Sequence, residues 1–297
     1  MDRKDFIKKG IFGTGIFITG AAGMNALSNG IDELGRLEPM VSLEPVGFNH
    51  IRNTNSKIME NTILHKADTR GNADHGWLKS RHTFSFANYY NPERMHFGVL
   101  RVLNDDTVSA GMGFGTHPHD NMEIISIPLE GDLEHKDSMG NVATIKNGDI
   151  QVMSAGTGIQ HSEYNKNSDK TVKFLQIWVY PKTKNVTPRY DQITLNVDDR
   201  KNKLQQILSP NADDEGVWIH QDAWFHLGKF DKDFKIEYNI KKAGNGVYVF
   251  VLKGDLNVNT QVLNERDGLG IWDVSKLDIT AMSQDAEVLL MEVPMSA

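Results

Sequence analysis

The sequence contains no cysteine among its 297 residues. Disulfide bonds, thiolate metal sites and cysteine nucleophiles are therefore excluded, and a metal ion would need histidine, aspartate or glutamate ligands. Basic side chains are also in deficit, because 39 acidic residues against 32 basic ones give a net charge of -7. Since nucleic-acid binding relies on clustered lysine and arginine, we expect no direct nucleic-acid partner.

Long apolar runs are missing as well, and residues 1–24 contain the one stretch that approaches such a run. Arg3, Lys4 and Lys8 lie in a charged start, and a glycine-broken apolar run follows over residues 11–24. This run is too short and too rich in glycine for a stable membrane span. The order of a charged start and an apolar run instead fits an export signal, and it resembles the twin-arginine type with Lys4 in place of the second arginine. We therefore expect export to the periplasm; the alternative is an amphipathic N-terminal helix on a cytoplasmic protein.

Short runs rich in valine, isoleucine and aromatic residues dominate the chain from His65 onward. Examples are residues 97–103, 123–127, 173–180 and 246–252. Turn sequences separate them, among them Asn147-Gly148-Asp149. Short strands that alternate with turn residues at regular intervals are typical of β-sandwiches and closed barrels. The sequence therefore predicts an all-β protein.

The two halves of this β-rich region share a pattern. The sequence Leu-Glu-Gly-Asp-Leu at residues 129–133 has a counterpart, Leu-Lys-Gly-Asp-Leu, at residues 252–256. A polar stretch with a proline at each end, residues 181–188, lies between the halves and suits a linker. We interpret the pattern as a duplicated barrel. The predicted organisation is an export signal at 1–24, a spacer at 25–60, a first barrel at 61–185 and a second barrel at 186–297.

Two pairs of side chains in the first half are candidates for a metal-binding site. His117 and His119 are two residues apart, as are His161 and Glu163. Side chains alternate between the faces of a strand, so the members of each pair point to the same face. A lone His-x-His is more often a surface or hydrogen-bonded pair, but two such pairs facing each other inside a barrel would place three imidazoles and a carboxylate together. That ligand set suits divalent iron, manganese, nickel, copper or zinc rather than calcium or magnesium.

Other polar residues receive structural interpretations. Glu123 lies an even number of residues from His119 and should face inward, where we expect it to hydrogen-bond and orient a histidine rather than bind metal. His135 and Asp137 lie beside a turn and are expected to be structural. The second half contains no His-x-His, so we expect His220 and His226 to be packing or surface residues and the second barrel to lack metal.

These sequences resemble the pirin family of the cupin superfamily. The first cupin motif corresponds to Gly111-x5-His117-x-His119-x3-Glu123. The second corresponds to the segment from Gly148 through Gly158-x2-His161-x3-Asn165, with Gly156 where cupins usually have proline. Residues 81–90, 134–140 and 175–179 resemble further pirin sequences. The resemblance covers residues 64 to 297. It implies two tandem cupin barrels of the double-stranded β-helix or jelly-roll type, with His117, His119, His161 and Glu163 as the metal ligands.

The family resemblance also suggests a function. Pirin-family proteins resemble the flavonol dioxygenases called quercetinases, which implies a small aromatic substrate, dioxygen and one divalent transition metal. Iron(II) is the expected metal, with manganese, nickel, copper and zinc as alternatives. Glu163 is then a permanent ligand or a catalytic residue that accepts the substrate hydroxyl proton. The competing interpretation is a non-catalytic, metal-responsive binding or regulatory protein, as the eukaryotic members of the family resemble transcription cofactors.

Overall fold

The computed structural model describes residues 61–296. The predicted export signal at 1–24 and the predicted spacer at 25–60 lie outside this range. Within it, no helix is both long enough and apolar enough to cross a membrane.

The described chain is built from short β-strands. The first twelve are β1 (Asn61–His65), β2 (Gly71–Asp74), β3 (Leu78–His82), β4 (Leu100–Val108), β5 (Gly113–His119), β6 (Glu123–Glu130), β7 (Asp132–Asp137), β8 (Val142–Lys146), β9 (Asp149–Ser154), β10 (Ile159–Asn165), β11 (Val172–Val179) and β12 (Arg189–Thr194). The other ten are β13 (Leu204–Ser209), β14 (Val217–Trp218), β15 (Trp224–Phe230), β16 (Lys235–Asn239), β17 (Asn245–Lys253), β18 (Leu256–Val258), β19 (Gln261–Leu263), β20 (Gly268–Trp272), β21 (Lys276–Ala281) and β22 (Ala286–Pro294). Short 3-10 turns cover Ala67–Thr69 and Val197–Arg200.

The strands form two barrels of the same design. The first combines a seven-stranded sheet of order β12-β9-β6-β11-β4-β3-β2 with a four-stranded sheet of order β5-β10-β7-β8. The second combines the order β1-β20-β17-β22-β15-β13-β14 with the order β16-β21-β18-β19. The two Gly-Asp sequences noted above lie at equivalent turns, β6 to β7 and β17 to β18, with Gly131 and Gly254 at positive φ. The predicted all-β, two-barrel architecture is therefore confirmed.

The two barrels exchange their edge strands. Strand β1, which precedes the first barrel, pairs with β20 in the second. Strand β12, which follows the connecting segment, pairs with β9 in the first. The boundaries predicted at residues 61 and 185 therefore do not coincide with the edges of the sheets. A reciprocal exchange covers one open edge of each large sheet, and it leaves no signal in a pattern of local hydrophobicity.

The largest core lies between the two seven-stranded sheets. Alternating residues of β11, such as Leu175 and Ile177, pack there with residues of the second barrel such as Phe250 and Leu289. The opposite face of β11 carries Phe174, Gln176 and Trp178 into the first barrel, because successive side chains point to opposite sides. Because one face of β11 is buried in the shared core, only its opposite face can contribute side chains to a site inside the first barrel.

The connecting segment at residues 181–188 passes directly over Gly156. The Val186 carbonyl accepts a hydrogen bond from the Thr157 N–H at 2.9 Å. A Cβ at Gly156 would lie 2.1 Å from that same carbonyl oxygen, and its φ of +49° is rare for residues with a side chain. Glycine is therefore required here, and the departure from the usual cupin proline follows from this close crossing.

Candidate metal centre

Three histidines meet where β5 and β10 pair. The two strands are antiparallel, and His117 lies directly opposite His161. His119 follows on the same face of β5, with its ring centroid 4.8 Å from that of His117 and 5.0 Å from that of His161. One ring nitrogen from each histidine can be chosen such that all three lie within 4.8 Å of one another. The structure thus brings together three of the four ligands expected from the sequence.

The hydrogen bonds of these rings determine which nitrogen is free. Nδ1 of His117 lies 2.8 Å from the carbonyl oxygen of Gly115, which can only accept, so this nitrogen carries the proton. The Nε2 atoms of His119 and His161 are buried without a hydrogen-bond partner. His117 therefore has an Nε2 lone pair available for a metal ion, and no hydrogen bond competes for the Nε2 atoms of His119 and His161. Unpaired buried nitrogens are costly in the absence of a ligand, and a transition metal bound by the three histidines would satisfy these two.

Burial keeps the three rings neutral. It lowers the pKa of His119 to about 3, with a smaller contribution from His117. Burial also lowers the pKa values of His117 and His161. A histidine must be deprotonated to bind a metal, so the site is ready for an ion at neutral pH without first losing protons. The donor set therefore fits one divalent transition metal.

Glu163 does not belong to this group of converging ligand atoms. Its carboxylate is fully buried and accepts hydrogen bonds from Ser126 Oγ at 2.9 Å and from Gln176 Nε2 at 2.5 Å. The register between β10 and β5 shifts between His161 and Glu163 because β5 has one extra residue there, which places Glu163 opposite Phe114. Within β10 the alternation holds, and Glu163 is buried on the same face as His161. Burial raises the pKa of Glu163 to about 7. Its assignment as a ligand remains a prediction.

His135 and Asp137 support the site, a role that the sequence interpretation missed. His135 Nε2 lies 3.1 Å from Asp137 Oδ2, and its Nδ1 lies 3.5 Å from Nδ1 of His161. If His135 donates Nε2–H to Asp137, its Nδ1 accepts the proton of His161, which leaves His161 Nε2 free. Carboxylate–histidine pairs of this kind orient metal-binding imidazoles. The pairing of β7 with β10 places Asp137 opposite His161, a tertiary relation that the sequence spacing does not contain.

Glu123 contacts different groups from those expected. It lies buried on β6, and Ser154 Oγ donates a hydrogen bond to its Oε2 at 2.6 Å. The expectation that Glu123 orients a histidine of the site is therefore wrong. Since β6 pairs with β9, the nearest partner for its side chain comes from that neighbouring strand rather than from β5.

An aromatic and apolar wall adjoins the histidines. The Trp178 ring lies 4.9 Å from that of His119 and 5.4 Å from that of Phe86, in edge-to-face arrangements. Met122 and Met153 belong to the same cluster as Trp178. The indole nitrogen of Trp178 is buried and has no hydrogen-bond partner. This wall therefore offers ring surfaces and one unused donor beside the candidate metal centre.

A further buried carboxyl, Asp106, lies in the same barrel on β4. It is fully buried and lies opposite Ser80 of β3. Burial, assisted by the nearby carboxylates of Asp105 and Glu163, raises the pKa of Asp106 to about 7. Burial also raises the pKa of Glu123 to about 7, so this barrel contains three acidic groups, Asp106, Glu123 and Glu163, that bind protons more tightly than exposed carboxylates do.

The charge on Asp106 should make stability depend on pH in protein stripped of metal by a chelator. The folded-state pKa is above the unfolded value, so the stabilisation from protonated Asp106 is present below pH 4 and is lost as pH rises through 7. The Asp106→Asn variant has no carboxyl group to titrate at this position, so it does not lose this stabilisation as the pH rises. We expect the difference in unfolding free energy, variant minus wild type, to increase by on the order of 2 kcal/mol from pH 5 to pH 7. Urea denaturation at the two pH values measures it. The exposed Asp169→Asn is the control, and an equal difference at both pH values would contradict the assignment.

Comparison with known proteins identifies both barrels. The family model described as Pirin matches residues 64–179, and the model described as Quercetinase C-terminal cupin domain matches residues 206–293. A protein of Escherichia coli strain K12 named quercetin 2,3-dioxygenase is 47% identical over 231 residues, which cover 78% of this chain and 98% of that protein. A pirin-like protein of Caulobacter vibrioides is 40% identical over 226 residues, covering 76% of this chain and 96% of the relative.

A solved structure supports the same relationship. The bacterial pirin YhhW from Escherichia coli, in complex with nickel(II), aligns with a TM-score of 0.74 and 46% identity. The alignment covers 79% of this chain and 99% of that one. Sequence, fold and the cluster of candidate metal ligands agree, and we conclude that this chain belongs to the pirin family of two-barrel cupins.

Proposed function

We propose that this protein is a metal-dependent dioxygenase that acts on flavonol-like aromatic substrates. One observation carries the proposal: three imidazoles, that of His161 buried and those of His117 and His119 partly buried, lie together beside an aromatic wall, and the Nε2 atoms of His119 and His161 have no hydrogen-bond partner. The 47% identical relative named quercetin 2,3-dioxygenase supports the choice of reaction and substrate class. The wall suits a planar substrate because aromatic rings pack favourably edge to face and in offset stacks.

We propose iron(II) as the metal, held by His117, His119 and His161, with Glu163 as the fourth ligand or the proton acceptor. Nickel(II) is an alternative because the related YhhW binds it, and manganese, copper and zinc also suit the ligand type. A redox-active ion bound there would supply Lewis acidity and a change of oxidation state.

The protein's own residues would then orient the substrate and move a proton. His135 and Asp137 keep the proton of His161 on Nδ1, away from the metal side. Trp178 and Phe86 pack against the substrate ring, and the free indole N–H of Trp178 can donate to one of its oxygens. The Glu163 carboxylate, held by Ser126 and Gln176, is the nearest buried base along β10 and would accept the substrate hydroxyl proton.

Oxygen uptake tests the proposal directly. Metal-stripped protein is reloaded with iron, manganese, nickel, copper or zinc and mixed with quercetin in an oxygen electrode. We expect at least one redox-active form to consume dioxygen and the zinc form to consume none, because Zn(II) has no accessible redox change. If no redox-metal form consumes dioxygen with any of a panel of flavonols and related enediols, the non-catalytic, metal-responsive alternative is the better one.

We also propose that residues 1–24 direct export to the periplasm. Their charged start and glycine-rich apolar run support this. Residues 1–40 fused to a reporter that is active only outside the cytoplasm should give signal, and Lys4→Arg should increase routing through the twin-arginine path. If this fusion gives no reporter signal while a known export signal does, the export proposal fails and residues 1–24 are better interpreted as an amphipathic N-terminal helix.

A further inference from the structure

The second barrel contains a cavity that the proposed reaction does not use. Its volume is approximately 450 Å³, and it lies between the edge strand β16 and strands β13 and β15. Cavities that hold small organic ligands typically measure roughly 300–1,000 Å³. In the order of the small sheets, β16 takes the place that β5, the strand of His117 and His119, takes in the first barrel. The cavity therefore lies at the counterpart of the metal-binding strand.

A buried histidine with unused hydrogen-bonding capacity lines this cavity. His226 is 3% exposed, and its Nδ1 has no hydrogen-bond partner. Its ring packs edge to face against Tyr238, with centroids 5.0 Å apart. The Tyr238 hydroxyl donates to the buried carboxylate of Glu292, which fixes this ring. The expectation that His226 is a packing residue accounts for the ring contact but not for the unpartnered nitrogen.

The electrostatics at the rim favour an anion. Lys203 and Lys241 belong to the lining, and within residues 61–296 neither ammonium group has a carboxylate oxygen within 4.0 Å. The acidic residue of the lining, Glu237, is already paired with Lys276. The lining therefore includes two lysines without an ion-pair partner, on a protein whose net charge is -7.

The side chains that line the cavity favour a ligand whose anionic group is attached to a flat apolar ring. Leu204 and Ile236 are partly buried and pack against the core of the second barrel. With the rings of His226 and Tyr238, they line the cavity with apolar and aromatic surface. We propose that this cavity binds a small aromatic carboxylate, with the carboxylate at Lys203 and Lys241 and the ring against His226, Tyr238 and the two aliphatic side chains. This site is independent of the metal centre and of the reaction proposed for it.

Titration of the full-length, metal-loaded protein with benzoate tests the site, with calorimetry giving the affinity. Benzamide, which has the same shape without the charge, is the ligand control. The double variant Lys203→Gln/Lys241→Gln should bind benzoate with an affinity at least about tenfold lower than that of the wild type, since two attractive charges are lost. Lys235→Gln removes an exposed lysine at the start of the same strand, outside the lining, and should leave binding unchanged.

Methyl NMR locates the ligand independently of the substitutions. Benzoate should shift the methyl signals of Leu204 and Ile236 and leave those of Ile124 and Ile159, in the cluster beside the histidines, in place. Three results would each overturn the proposal: no saturable benzoate binding to the wild type, equal affinity in the double variant, or shifts confined to Ile124 and Ile159, which would place benzoate at the metal centre.

Discussion

The double variant His117→Ala/His161→Ala is expected to lose stoichiometric metal binding completely while retaining its fold. Two of the three converging imidazoles are removed, and the remaining His119 offers a single nitrogen. The large core between the barrels is built from other residues, so the two substitutions leave it intact. Metal content is measured by elemental analysis after purification, and the fold by circular dichroism and thermal unfolding of chelator-treated protein.

His96→Ala is the matched control for this experiment. His96 is an exposed histidine whose Nδ1 interacts with the carbonyl of Gly98, far from the candidate ligands along the chain. Its loss should leave the metal content at the wild-type level. Full metal retention in the double variant would show that these histidines are not the ligands and would remove the basis for the proposed reaction.

Glu163→Gln should lower turnover on the order of 100-fold or more, with metal largely retained, as expected when a general base is lost. The amide keeps an oxygen and nearly the same shape, so the contacts with Ser126 and Gln176 can be preserved after a rotation of the Gln176 amide. The negative charge and the basicity are lost. Oxygen uptake with quercetin and metal content are measured on the same preparation.

The outcomes separate the two roles expected for this residue. Metal lost together with activity would show that Glu163 is mainly a ligand. Unchanged metal and unchanged turnover would show that it has no chemical role. Glu123→Gln is the control, since Glu123 is also a buried carboxylate but is bonded to Ser154 and lies outside the histidine group. It should alter turnover far less than Glu163→Gln.

Fold class and the histidines could be predicted because their signals are local. Short β-prone runs separated by turn residues are visible along the chain, and a two-residue spacing directly encodes a shared strand face. His117, His119 and His161 follow from that rule together with the resemblance to cupins. Glu163 also follows the rule, since it is buried on the same face of β10 as His161, but its carboxylate bonds Ser126 and Gln176 and lies outside the group of converging ligand atoms.

The partners of the site residues could not be predicted in this way. Glu123 was expected to bond a histidine and instead bonds Ser154, because the neighbour of β6 is β9. The position of His135 and Asp137 beside a turn suggests a structural role only, yet they contact and orient His161 through the pairing of β7 with β10. Strand neighbours depend on contacts between residues far apart in sequence, and no local spacing encodes them.

By itself, the sequence determined the all-β character, the duplication, the absence of thiol chemistry and the three histidines that can bind a metal. Each of these depends on residue type or on the two-residue period of a strand. Only the tertiary structure decided the exchange of β1 and β12 between the barrels, the hydrogen-bond partners of the histidine rings and the cavity of the second barrel. These features depend on how strands pair and how sheets pack, and the free energy of that packing is summed over the whole chain rather than over any one segment.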